Sequence, residues 1–245
     1  MGEADARAPT GAEAGEEAIL AVHDRYLREV VEALNLCPFA RRCREQGRIR
    51  RPLFDLRRLP AGEPSADACA REVLEVSRAH PEVEVLLLTF VVPEGHPWAA
   101  PQGFELHVRE LRDAYAALAA GPRYYMVPFH PRFRRADPGR PLTQDSLVPL
   151  IRRTPDPVIQ CIRADLLDDF RRQAQEVSQA RFRAEIAKLG PELQALLAHA
   201  VQADPELSSD IARGNFASVG EGQGHEDFEG RIAAIQAARR RLDEG

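Results

Sequence analysis

Two short runs hold the residues best suited to chemistry, Leu34-Asn35-Leu36-Cys37-Pro38-Phe39-Ala40 and Tyr124-Tyr125-Met126-Val127-Pro128-Phe129-His130-Pro131. Proline suits the first position of a helix, so the first run predicts a short helix opening at Pro38 and ending before Gly47. That puts Cys37 at an N-cap, where unpaired backbone N–H groups and the helix dipole favour negative charge. Arg41, Arg42 and Arg44 add positive potential nearby. A thiolate there would serve as a nucleophile, a redox thiol, or a metal or haem ligand. A small buried cysteine without a role fits the same position, because free cysteine is among the most buried residue types. Cys43 lies too far along the chain for a CxxC redox pair with Cys37, and no zinc-ribbon spacing occurs.

His130 closes the second run, at the carboxyl end of a predicted strand, which is the edge where open α/β sheets bind ligands. A further apolar strand ends at Pro93-Glu94-Gly95-His96-Pro97-Trp98, which would bring His96 and the single tryptophan to the same edge. The short helix after Cys37 should run antiparallel to the strand it feeds. Its tip would then approach that edge, and Cys37 and His130 are expected to share a pocket.

The elements that would position them read as follows. Residues 1–16 are expected to form a disordered leader. A helix from about Glu17 to Leu36 carries Ile19, Val22, Tyr26, Val30, Ala33 and Leu34 on one stripe. Strands are predicted near Leu53–Leu56, over Val83–Val92 and over Tyr124–Phe129. The middle one is almost continuously apolar, as in a strand covered on both faces. Helices over Ala66–Ala79 and Gly103–Ala119 separate them. The β-α-β-α-β order predicts an α/β fold with a small parallel sheet and flanking helices, a ferredoxin-like sheet with an antiparallel strand being the alternative. A helix with Leu147, Leu150 and Ile151 follows an Arg- and Pro-rich loop, and another helix is expected from Val158 to Ala180. Residues 17–180 thus read as the α/β domain. Residues 181–245 read as a helical C-terminal extension, broken at Gly190-Pro191 and again at Gly220 to Gly230, and standing apart from the site.

Composition narrows the function classes. At 245 residues, 44% hydrophobic and 29% charged, the chain can build a full core. A net charge of −5 argues against a general nucleic-acid binder, and neither exposed aromatics interleaved with the basic residues nor a known binding motif is evident. Of 33 basic residues only Lys188 is a lysine, the mark of a GC-rich genome, so arginine counts alone say little about anion binding. No apolar run approaches the roughly 20 residues that cross a bilayer. Nor does the N-terminus have a secretory pattern. Four scattered cysteines suit a reducing compartment, and a cytoplasmic location is expected.

The two runs together resemble a bacterial family catalogued as domain of unknown function 1415. Its Asn-Leu-Cys-Pro-Phe-Ala motif is matched by Asn35 to Ala40 and its Phe-His-Pro by Phe129 to Pro131. Its Arg-Ser-Pro-Tyr-Pro stretch, leading into His-Leu-Leu-Arg, is matched in part by Arg153-Thr154-Pro155-Asp156-Pro157 and Gln160-Cys161-Ile162-Arg163. Here Asp156 stands for the tyrosine and Gln160 for the histidine. The resemblance spans about residues 18–170 and implies a site pattern without a reaction.

The leading expectation is an enzyme acting on a small anionic molecule. Cys37 would be the thiolate or ligand and His130 the acid/base or second ligand. Asn35 would set the turn, and Arg41, Arg153 and Arg163 would contact the anion. No GxGxxG, P-loop, HExxH or GxSxG names a cofactor. The competing class is a non-enzymatic interaction protein, in which Cys37 and His130 only brace the fold and the C-terminal helices dock on a partner.

Overall fold

A computed structural model describes residues 11–186, 188 and 207–244. Helix α1 (Gly11–Tyr26) begins inside the expected leader, whose first ten residues lie outside the described ones. It passes without a break into a π-helical segment, Leu27–Glu32. Ile19, Val22, Tyr26, Leu27 and Val30 are all buried, so one apolar stripe continues through the change of helix type. The segment ends at Asn35, whose φ of 52° is left-handed. Asparagine is among the few residues that adopt this conformation readily.

Helix α2 (Ala40–Glu45) follows, with Phe39 rather than Cys37 at its N-cap. Strands β1 (Ile49–Arg50) and β2 (Leu53–Asp55), helix α3 (Ala66–Ala79), strand β3 (Val85–Val91), helix α4 (Pro101–Ala117) and strand β4 (Tyr124–Phe129) come next. Ser65 caps α3 by accepting the Ala68 N–H at 3.2 Å, and Pro101 opens α4. A capping box between Thr143 and Ser146 starts α5 (Gln144–Ile151).

The expected helix over Val158–Ala180 is instead a strand followed by a helix, β5 (Val158–Arg163) and α6 (Ala164–Ile186). Val158, Ile159 and Ile162 are β-branched, and Pro155 and Pro157 break the chain just before them. The remaining described helices are α7 (Leu207–Val219) and α8 (Gly222–Glu244).

Five strands form one mixed sheet, mostly antiparallel along its ladder. β1 and β2 pair parallel with one edge of β3, and the order continues β3-β5-β4 with both of those pairings antiparallel. The expected small parallel sheet is therefore corrected. β2, β3 and β4 do run the same way, but β5 lies reversed between β3 and β4 and takes both of their ladders.

The pleat of this sheet divides the molecule. Leu86, Leu88 and Phe90 of β3, with Ile159 and Cys161 of β5, face α3 and α4 across a core that includes Val73, Phe104 and Leu111. Val85 and Leu87, with Ile162, face the other way, toward Phe39, Cys43 and Leu166. A third cluster joins Val22, Tyr26 and Val30 to Leu147 and to Phe228, Ile232 and Ile235 of α8. The described C-terminal helices α7 and α8 thus pack with α1 and α5 in this third cluster.

His107 on α4 is buried in the first layer, stacked on Trp98 with ring centroids 3.8 Å apart. Burial, aided by His96, pushes its pKa down from 6.5 to about 4. Between those values the unfolded chain takes up a proton that the folded chain refuses, so stability falls as pH drops through the window. His107 alone is expected to account for about 3 kcal/mol of this loss, measured by urea denaturation from pH 7 to 4. His107→Phe should flatten the dependence, leaving the same-signed contributions of His130 and His96, whose pKa values burial also lowers.

Candidate functional site

The left-handed Asn35 turns the chain so that Leu36-Cys37-Pro38 comes down on the sheet face formed by Val85, Leu87 and Ile162. Arg44 holds this geometry, donating to both carboxylate oxygens of the buried Glu32 at 2.6 and 2.9 Å. Cys37 is half-buried and lines a cavity of ≈ 270 Å³, a small volume beside the roughly 300–1,000 Å³ of most ligand pockets. Its walls come from every layer on that side: Tyr26 of α1, Thr89 of β3, Gln160 of β5, Arg152 after α5, and Ile211 and Asn215 of α7.

The other cysteines are fully buried. The Cys43 thiol donates to Glu84 Oε2 at 3.1 Å, within a group where Glu84 also accepts from Arg42 and Arg48. Cys37 is therefore the cysteine at a cavity. Burial pushes its thiol up to about 12, against the smaller opposing pull of the Phe39 and Ala40 N–H groups. The expected N-cap thiolate is absent. At neutral pH Cys37 is a thiol, and only a base could make it a nucleophile.

His130 is not brought to Cys37. Its neighbour Phe129 points into the Cys37 cavity, while His130 packs on Phe104 of the α3/α4 layer at 5.9 Å. Both ring nitrogens are engaged there. Nε2 bonds to the Trp98 carbonyl at 3.1 Å, and Nδ1 accepts from the Arg132 N–H at 3.1 Å. These roles require the neutral ring, and burial lowers its pKa accordingly. The residue is fully buried, and it borders a second cavity lined by Arg132, Asp156, Gln236 and Arg239.

The histidine on the Cys37 cavity is His23 of α1, whose Nε2 lies 2.9 Å from Asp156 Oδ2. The same oxygen accepts from Arg239 Nε of α8 at 2.8 Å. All three residues are buried. A histidine held by a carboxylate is an orienting arrangement suited to proton transfer. Sequence reasoning passed over His23 because it sits in a helix. The signal available was a polar residue on an otherwise apolar stripe, beside Val22 and one turn before Tyr26.

The expected anion contacts divide similarly. Arg153 is spent on Glu229, to which Nη1 donates at 2.9 Å, and it lies over the Phe228 ring. Arg163 is spent on Asp165 and the Pro81 carbonyl, at 3.1 and 2.9 Å. Arg41 is largely exposed, 3.8 Å from Glu32. Asn35 keeps its expected part as the turn residue. The cationic residues that do line the cavity are Arg51, paired with Asp24, and Arg152. Arg152 is half-buried and makes no side-chain hydrogen bond or ion pair among the described residues, with Glu105 and Arg112 within electrostatic reach. No aspartate or glutamate is among the described lining residues. Also among the described residues, no group of three or more His, Cys, Asp or Glu is placed to hold a metal, and no helix is long and apolar enough to cross a membrane.

Sheet and site together define a mixed α/β protein with an apolar, cysteine-walled cavity between the sheet and a helical layer. The chain belongs to the family described as protein of unknown function, DUF1415, whose model matches residues 18–189. No curated protein and no solved structure matches it. Gln160 lines the cavity, and Asp156 holds the histidine that does.

Proposed function

We propose that the protein is an enzyme that acts, through Cys37, on a small molecule with an apolar body and an anionic end. The observation that carries this reading is the cavity itself. It puts the one half-buried cysteine, the carboxylate-held His23 and two arginines on walls that are otherwise largely apolar and free of acidic side chains. Apolar walls with a few convergent polar groups are the usual make-up of a small-molecule site. In this reading His23 takes the place first given to His130. It would receive the Cys37 proton as substrate binds, with Asp156 and Arg239 fixing its ring.

Alkylation provides the test. Treated with N-ethylmaleimide in its folded state, the protein is expected to take up label at Cys37 alone, slowly at pH 7 and faster at higher pH. Cys43, Cys69 and Cys161 should react only after denaturation. A bound small anion should slow the Cys37 reaction at least tenfold, followed by mass spectrometry over a panel of apolar carboxylates, phosphates and sulfonates. A panel in which no member protects Cys37 would count against a substrate site and leave the thiol as packing.

A further inference from the structure

Tyr26 carries the most informative unpaired atom in the molecule. The residue is buried, it lines the Cys37 cavity, and its hydroxyl has no hydrogen-bond partner among the described residues. A buried hydroxyl left unbonded is costly, and native structures seldom keep one without a reason. The nearby charges do not supply one. Arg153 lies within electrostatic reach of the phenol, but its guanidinium is already committed to Glu229. Burial raises the phenol further above its ordinary range, so it stays a neutral O–H donor at any physiological pH.

Two amides complete the polar part of the wall. Asn215 of α7 is almost wholly buried, Gln160 of β5 is half-buried, and no side-chain hydrogen bond is found for either among the described residues. The rest of the lining is largely apolar and includes Leu36, Phe39, Val85, Leu87, Ile162 and Leu167, with Gln160 cross-strand from Leu87. The cavity therefore offers apolar walls and three neutral polar groups, under the positive potential of Arg152, Arg51 being paired with Asp24. An ammonium would be repelled by that potential. A bulky dianion would need more cationic partners than the wall provides.

We propose that the ligand of this cavity is an amphiphilic monocarboxylate, its chain against the sheet and a head-group oxygen accepting the Tyr26 hydroxyl, with Asn215 and Gln160 as further partners. This rests on the reading of the Cys37 cavity as a substrate site and adds the ligand class and the residue that selects it. Tyr26 is then a binding residue that orients the head group beside Cys37.

The probes are hexanoate, hexanamide, 1-hexanol and hexylammonium, titrated by calorimetry into the full chain and into Tyr26→Phe. Hexanoate is expected to bind best and to slow maleimide labelling of Cys37. Tyr26→Phe should weaken hexanoate about five- to tenfold, the loss of one hydrogen bond. It should leave the melting temperature of the ligand-free protein unchanged or higher, since only an unbonded hydroxyl is removed. That opposition of signs separates a ligand contact from a structural one. Should Tyr26→Phe not fold, Asn215→Ala is expected to show the same selective loss. Equal hexanoate affinity in a folded Tyr26→Phe or Asn215→Ala overturns the assignment of the head-group contacts while leaving the substrate-site reading intact. Equal or tighter binding of hexanamide, hexanol or hexylammonium overturns the carboxylate class. Failure of all four probes to bind, with unprotected Cys37 in the wider panel as well, removes the substrate-site reading and this proposal with it.

Discussion

Asp156→Ala is expected to lose about 3–5 kcal/mol of unfolding free energy, the range for stripping one partner from a buried ion pair. The carboxylate is 2.9 Å from His23 Nε2 and 2.8 Å from Arg239 Nε, and Arg239 is buried along its whole side chain. Without Asp156 the guanidinium keeps only Asp243, at 2.9 Å and half exposed. Helices α1 and α8 would also lose the polar group that joins them. Asp156→Asn keeps an acceptor and should cost less. Urea denaturation with an unchanged slope would measure both. A loss below about 1 kcal/mol in the alanine variant would mean that Asp243 alone can hold the arginine.

Phe90→Ala should cost a similar amount, about 3–5 kcal/mol, by opening a cavity in the α3/α4 layer. Phe90 is fully buried and its ring meets Phe54 (5.1 Å), Trp98 (5.5 Å), Phe104 (5.6 Å) and His107 (5.8 Å). The stacked contact with Phe54 and the edge-to-face contacts with the other three rings add to the loss of buried area. Trp98 is the single tryptophan, so its emission should shift to the red in the variant as water reaches the ring. Phe90→Leu, which retains most of the volume, should fall well short of the alanine value. Equal losses in the two variants would put the energy in ring geometry and not in filled space.

How much of this was legible in the sequence depended on how far local pattern decides structure. The strand over β3 was legible because both of its faces are covered, so its residues are apolar almost without interruption. Helix α3 and strand β4 ended where the pattern ended. β5 was not, because Arg163 joins directly to Ala164 of a long helix with no glycine or proline to mark the change, and a helical reading ran through both. Missing that strand turned a mixed sheet into a parallel one. It also hid the fact that Gln160 faces Cys37 while Cys161 faces away.

For the site, Cys37 stood out because Pro38 and the preceding helix constrain its neighbourhood, and it does line a cavity. His130 stood out by its place at a strand end, but the pleat sends alternate residues to opposite faces, and Phe129 takes the place facing Cys37. The electrostatic expectation failed for a related reason. Proximity of Arg41, Arg42 and Arg44 in sequence says nothing of burial, and burial raises the Cys37 pKa more than the local amides lower it. Arg153 and Arg163 were read as free cations. Glu229 lies 76 residues from Arg153, beyond any local signal, whereas Arg163 is held by Asp165 two residues on as well as by the Pro81 carbonyl 82 residues away.

The reversed central strand has a consequence for synthesis on the ribosome. A nascent chain that has emerged as far as residue 157 holds four of the five strands, yet β3 and β4 have nothing to pair with across the space that β5 will fill. Parallel β2–β3 pairing with α3 can form early, but closure of the sheet waits for a late, long-range insertion, a topology associated with slow folding. Docking of α8 on α1 comes later still, because α8 is made after β5. Ile211 and Asn215 of α7, which wall the Cys37 chamber, are also made after β5, so that chamber forms late in synthesis.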